Sequence, residues 1–364
     1  MKYKMKNQMK SSLLAIVCGL SSLTPAAEAR SSKNSNPALL YWQAAAELPA
    51  LTDAKARELR EVADGKVGLK ADLIEESDFE PTMTFLHKAV ASEAPCEWGL
   101  AWEEGLEMRT PHLAKMREFS VIVLVLAEAK FANHEAAAGI DLLMMAHHIA
   151  RDTGAAPLVI SVAIQNALER RAIATAARHC LTWDAAMRND YAARLKTLPD
   201  LTPLHQGLAS EFFWVNAWEE ELEENFEKAI KKSGFGLVAN GEQVKEPEQF
   251  KEMIAAYREK HAEAMVILKK TGDARRAGVA EFEKELAAAK SAPRNLLSSL
   301  LMPALKGLVR SEDRTTMARI MLESVLAHGP EITVKDVEGT PFRLLRNQGA
   351  LELKSDQLEF ALKF

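Results

Sequence analysis

The chain is short of the residues that usually announce chemistry. It has three cysteines in 364 residues. No Cys-x-x-Cys or Cys/His spacing suggests a zinc site. Glycine is scarce, at 17, and runs of β-branched residues are rare. That composition disfavours a sheet protein and favours helix. No GxSxG, SxxK, HExxH, P-loop or Rossmann signature occurs. Positive charge is not in excess either: the formal net charge is −5. So acidic a chain has no general pull on nucleic acid or anionic lipid.

The first ten residues carry Lys2, Lys4, Lys6 and Lys10 and no acid. An apolar run from Leu13 to Leu23 follows, then Pro25 and Ala27-Glu28-Ala29. This order predicts a secretory signal peptide cleaved after Ala29. The apolar run is well short of the ~20 residues that a membrane span needs. Lipoprotein anchoring at Cys18 is the weaker alternative, because Val17 before it is too large for a usual lipobox. Cleavage takes away four lysines and one glutamate, leaving a mature charge of about −8. The mature chain is then exported, periplasmic or extracellular. That compartment permits a Cys96–Cys180 disulfide, with two separate thiols as the alternative.

What is abundant is alanine, leucine and charge in helical spacing. The fold expected is all-α: antiparallel helix pairs in a multi-helix, solenoid-like array, with a small β-hairpin or sheet at the C-terminus. After a flexible leader at 30–36, an N-terminal helical domain covers 37–232, a helical hairpin region 247–329, and a hairpin tail 330–364. Pro37 opens a first helix, Thr52 caps a second, and Pro81 opens a third. Thr110-Pro111 caps a fourth that runs to about Phe131. Its centre, Val121 to Ala127, is apolar on every side, so it is read as buried helix, with a buried strand as the alternative. Asn133 caps the next helix, whose stripe is Ile140, Leu143, Met144 and His147. Pro157 opens another. Asp184 caps a short one, and Thr202-Pro203 starts a long one lined by Leu204, Leu208, Phe212, Val215, Leu222 and Phe226. Residues 233–246 read as a loop. Helices at 247–270, 273–290, 293–309 (kinked at Pro303) and 312–328 follow. Short strands flank the Asn347-Gln348-Gly349 turn.

Three stretches resemble one family. They are Asn36-Pro-Ala-Leu-Leu-Tyr-Trp-Gln43, Cys96-Glu97-Trp98 with Pro111-His112-Leu113 and Arg117, and Asp336-Val-Glu-Gly-Thr-Pro-Phe-Arg343. The family is that of exported helical proteins of planctomycete and verrucomicrobial bacteria with no assigned activity. Val337 and Glu338 stand where that family has Pro-Phe. The resemblance implies export and a helical body, and transfers no reaction.

Candidate sites each have a packing alternative. In the 96–112 loop, Glu97, Glu103, Glu104 and Glu107 sit near Trp98 and Trp102. Paired carboxylates with an aromatic platform suit sugar binding or hydrolysis; alternatively the tryptophans plug the core. His112, in the first turn of its helix, is disfavoured for a proton by the dipole and could accept a hydrogen bond or bind metal; alternatively it packs and caps its neighbouring loop. Arg117 lies one turn further on. His147 and His148 point about 100° apart, so one metal cannot easily take both. His147 is on the apolar stripe, and His148 is placed as a surface partner of Asp152. The run Glu219-Glu220-Glu221-Leu222-Glu223-Glu224 lacks the glycine-hinged loop of a calcium site and reads as a solvated face beside Trp214 and Trp218. No metal and no cofactor is expected. The function expected is a non-enzymatic binding or scaffold protein of the cell envelope, its partner a protein or an envelope polymer. The alternative is a carbohydrate-binding or hydrolytic protein using the 96–112 loop.

Overall fold

The structure, a computed structural model, describes residues 34–70, 72–102, 104, 108–225, 238–239, 242–243, 247–289, 298, 302, 304–347 and 350–364. The expected signal peptide, most of the leader, Glu103, Glu107, Phe226 and the expected kink at Pro303 lie outside these residues, as do the side chains of Trp214, Trp218 and the 219–224 acidic run.

The described helices, in chain order, are α1 Pro37–Ala46, α2 Asp53–Ala63, α3 Glu76–Val90, α4 Pro111–Ala132, α5 Ala136–Thr153, α6 Val159–His179, α7 Ala185–Thr197, α8 Leu204–Glu224, α9 Pro247–Leu268, α10 Gly272–Ala289 and α11 Leu305–His328. A two-residue ladder, β1 Val238–Ala239 with β2 Glu242–Gln243, interrupts the expected 233–246 loop. Strands β3 Arg343–Asn347, β4 Ala350–Ser355 and β5 Phe360–Lys363 form a C-terminal antiparallel sheet. The protein is therefore all-α with a small terminal sheet.

The chain divides into two compact units. The smaller comprises residues 34–49 and 77–97. In it Asn36 caps α1, accepting from Ala38 N–H at 3.0 Å, and the same amide grips Glu97 in both directions. Asn36 Nδ2 donates to Glu97 O at 2.7 Å, and Glu97 N–H donates back to Asn36 Oδ1 at 3.0 Å. Two stretches far apart in sequence are thus tied by one side chain. Tyr41, Phe79 and Leu86 fill the unit's interior. Helix α3 starts earlier than expected, at Glu76, with Pro81 inside it. So near the start, the missing N–H forfeits one intrahelical bond.

The larger unit comprises residues 50–76 and 98–364. Helix α4 is its central rod: every residue from Phe119 to Ala127 is buried. It packs on α2, α5 and α6; α6 packs in turn on α8 and α11. The continuous apolar run is a helix and not a strand. A helix with no polar stripe must be covered on all sides.

Several starts and stops differ from expectation. Thr52 and Asp184 cap as read, accepting from Lys55 N–H and Met187 N–H. Thr110 makes no side-chain cap bond. Asn133 ends α4 and does not begin α5. Thr202 does not cap α8: its hydroxyl donates to Gly154 O at 2.9 Å, while its backbone pairs with Gln165. The expected break between 309 and 312 is absent, and α11 runs through it unbroken. Arg170 from α6 reaches Ser311 and Thr315 there, which holds α11 against α6. The tail is fastened by Arg314, which donates to Leu358 O and Glu359 O at 3.0 and 3.1 Å, with an Arg310–Glu359 ion pair beside it. The expected hairpin gains a third strand.

The end of α5 tests this packing. A Cβ on Gly154 would lie 1.8 Å from Gln165 Oε1, and Gln165 is fully buried with both amide atoms bonded to Thr202. Gly154→Ala therefore overpacks the site and breaks that pair. The expected loss is about 2–4 kcal/mol of unfolding free energy, read by urea denaturation.

Candidate functional site

Three places in the larger unit gather polar or aromatic groups. Only one of them opens to solvent as a cleft.

The first is the 98–112 loop. Trp98 is half-buried; its Nε1–H donates to Asp152 O at 2.8 Å, at the end of α5. Its ring stacks on His112, centroids 4.4 Å apart. His112 is 1% exposed, and burial pushes its imidazole down to about 4. Its Nε2 has no hydrogen-bond partner among the described residues. Trp102 meets Phe213 edge-on at 6.4 Å. Glu97, Glu104 and Arg117 are exposed. The loop thus brings Trp98 and His112 together as a clasp on α5. One face of the Trp98 indole is covered by the imidazole, so that face is no sugar platform.

The second place is deep in the core. His147 Nδ1 lies 2.9 Å from Glu169 Oε2, and His147 Nε2 lies 2.8 Å from Tyr191 Oη. Arg151 Nη2 donates to Glu169 Oε1 at 2.9 Å. All four residues are at most 4% exposed. Burial would raise the Glu169 carboxyl, but His147 and then Arg151 outweigh it and hold it below its ordinary value. Tyr191 is driven well above the phenol range, first by burial and then by the Glu169 charge. His147 is buried on the apolar stripe as expected, and there it links Glu169 and Tyr191 in a sealed network. Glu169, Arg151 and Tyr191 went unnoticed because each is on a different turn or helix. His148 is half-buried, and burial, then His147 and two arginines, depress it, so it is not the surface group expected. Cys180, one helix end away, is a buried free thiol raised to about 12 by burial, and no disulfide joins it to Cys96. Among the described residues no group of three or more His, Cys, Asp or Glu could hold a metal ion.

The third place is a cleft of about 470 Å³ where α6 and α11 begin beside α8. It is lined by Val159, Ile160 and Ala163, by Glu211, and by Ala304, Gly307 and Leu308. Its construction follows from one unmet need. Helix α6 begins after Leu158, which has no side chain able to cap it. Its first amide, Val159 N–H, is met from α8 by Glu211 Oε1 at 2.9 Å. Helix α8 approaches closely enough because of Gly207, where a Cβ would stand 3.1 Å from Val159 N. Glu211 takes the core-facing step between the buried Leu208 and Val215. Burial raises its carboxyl to about 7, with the Val159 amide pulling the other way. The sequence held this signal: 204, 208, 211 and 215 step by four, three and four, so a glutamate sits on the buried stripe. Phe212, expected on that side, packs there against Tyr257 and His261, and Glu211 shares the side with it.

Set against known protein families, curated proteins and solved structures, the chain matches none of them.

Two measurements check the buried groups. His112 has a folded value of about 4 against 6.5 unfolded. Its neutrality therefore stabilises fully above pH 6.5, and that contribution is lost as pH falls towards 4, to about 3 kcal/mol. His112→Phe, which keeps the stack on Trp98, should show a flatter loss of stability across that window. Glu169→Leu leaves the Arg151 charge buried without its carboxylate. It should cost about 3–5 kcal/mol in chemical denaturation at neutral pH, far more than any exposed ion pair.

Proposed function

We propose that this is an exported, non-enzymatic binding protein of the cell envelope that holds an apolar ligand in the α6–α8–α11 cleft. The cleft is the observation that carries the reading. Its volume falls within the range of small-ligand sites, and such sites are mostly apolar with a few placed polar groups. Here six apolar residues surround one carboxyl. Ile160 at the mouth is 48% exposed, a large aliphatic side chain left in water where a ligand would cover it.

Export rests on the leader pattern at residues 1–29. No helix among the described residues is long and apolar enough to cross a membrane. The ligand is therefore met free in the compartment, or as the apolar end of an envelope component. The buried ionic network supports the reading from the other side. Its groups are spent on holding α5, α6 and α7 together.

The test is calorimetric. The mature protein should bind 1-octanol, a neutral aliphatic probe, with a micromolar dissociation constant. Gly307 lines the cleft, and a Cβ added there meets no atom within 4 Å. Gly307→Phe should fill the space and abolish binding while leaving the thermal midpoint unchanged or higher, since glycine is a poor helix residue. Binding that survives Gly307→Phe would place the ligand elsewhere and overturn the assignment.

A further inference from the structure

Glu211 lacks something its counterpart Glu169 has. Glu169 faces His147 and Arg151. Glu211 has the Val159 amide on one oxygen and no charged partner among the described residues. Of the cations on these helices, Lys306 beside Gly307 is exposed and is not part of the cleft lining, and three others are engaged elsewhere. Arg170 of α6 donates to Ser311 and Thr315. Arg258 of α9 donates to Asn216, and Arg310 of α11 pairs with Glu359. The titratable side chains that α9 packs against this part of α8 are Tyr257, a buried phenol pushed up by burial first and then by the Glu211 charge, and His261, which is bonded to Leu208 O at 3.0 Å and held down by burial. Helices α6 and α11 present only aliphatic or glycine positions to the cleft.

A carboxylate in an apolar cleft without a counter-cation is an incomplete pair. From this geometry we infer that the cleft is built for a primary aliphatic amine, whose ammonium pairs with Glu211 while its chain lies along Val159, Ile160, Ala163 and Leu308. The inference rests on the binding reading above and narrows its ligand. An N–H···O⁻ bond to an ammonium is a charge-assisted contact, stronger than one to a neutral hydroxyl. The alternatives have a cost. A fatty carboxylate would bring a second negative charge to Glu211, and an alcohol would give it no charged partner.

The proton inventory follows. The free carboxyl is raised to about 7, so at pH 6 it is mostly protonated. An arriving ammonium favours the ionised form and expels that proton. At pH 8 no proton need leave, and binding is tighter.

The experiment compares octylamine, 1-octanol and octanoate by calorimetry at pH 6 and pH 8, in buffers of different ionisation enthalpy. The mature wild type, Glu211→Gln and Gly307→Phe are used. Glutamine keeps the oxygen that accepts Val159 N–H, so α6 stays capped. Expected for wild type at pH 8 is octylamine bound at least about tenfold tighter than octanol, with octanoate weakest. At pH 6 octylamine binding should release about one proton. Glu211→Gln should erase the amine preference and the proton release while retaining octanol. Gly307→Phe should bind none of the three. Octanol bound as tightly as octylamine by the wild type would overturn the amine inference and leave the binding reading standing. So would an amine preference that survives Glu211→Gln. No binding of any probe would remove both. Should Glu211→Gln fail to fold, the wild-type proton release decides alone: none at pH 6 refutes the pairing.

Discussion

The contact between Val159 N–H and the Glu211 carboxyl organises the larger unit. A helix start leaves amides that need acceptors. Most helices meet that need with a local serine, threonine or aspartate. Here neighbouring helices do it. Glu211 of α8 caps α6, Glu312 of α11 meets Leu204 N–H at the start of α8, and Glu283 of α10 meets Lys306 N–H near the start of α11. Each cap is a long-range contact, so each helix can begin only where its neighbour already lies. Three helix starts, those of α6, α8 and α11, are tied to neighbours by carboxylates, while α2 and α7 are capped locally, and the cleft lies where one of the long-range caps faces apolar space.

Glu169 and Glu211 show how environment decides what one residue type does. Burial disfavours charge at both. At Glu169 the hydrogen-bonded His147 and Arg151 side chains reverse that, and the carboxyl stays ionised in the core. At Glu211 a single backbone amide does not, and burial wins. The sign for stability follows. A raised carboxyl stabilises the fold below its unfolded value of 4.5 and loses that contribution as pH rises through about 7. A depressed one, such as Glu169, stabilises above that value and loses the contribution only in acid. The sealed group ties α5, α6 and α7 together, and the other stands in the wall of the cleft.

Much of the architecture was legible in the residues. The apolar centre of α4, the proline and threonine punctuation, and the change of pattern after Gly339 gave the helices and the terminal sheet. Local rules failed where distant groups took over. Thr110 and Thr202 look like caps but make no cap bond; the Thr202 hydroxyl goes to the carbonyl of Gly154, which the fold places beside it. The clasp of Trp98 on His112 was within reach, since both residues were marked, but their stacking needs the third dimension. Glu211 was legible and overlooked: its place on the buried stripe of α8 is plain once Leu204, Leu208 and Val215 are aligned. The Glu169 network was not, because its members come from α5, α6 and α7.

Glu211 is a lone carboxyl in an apolar cleft, capped by one amide and paired with no cation among the described residues. Carbon-13 NMR of the side-chain carboxyls, with Glu211 assigned through Glu211→Gln, measures this directly. The account predicts a titration midpoint of about 7. A midpoint near the ordinary glutamate value of 4.5 would show a solvated or already paired carboxylate, and would contradict it.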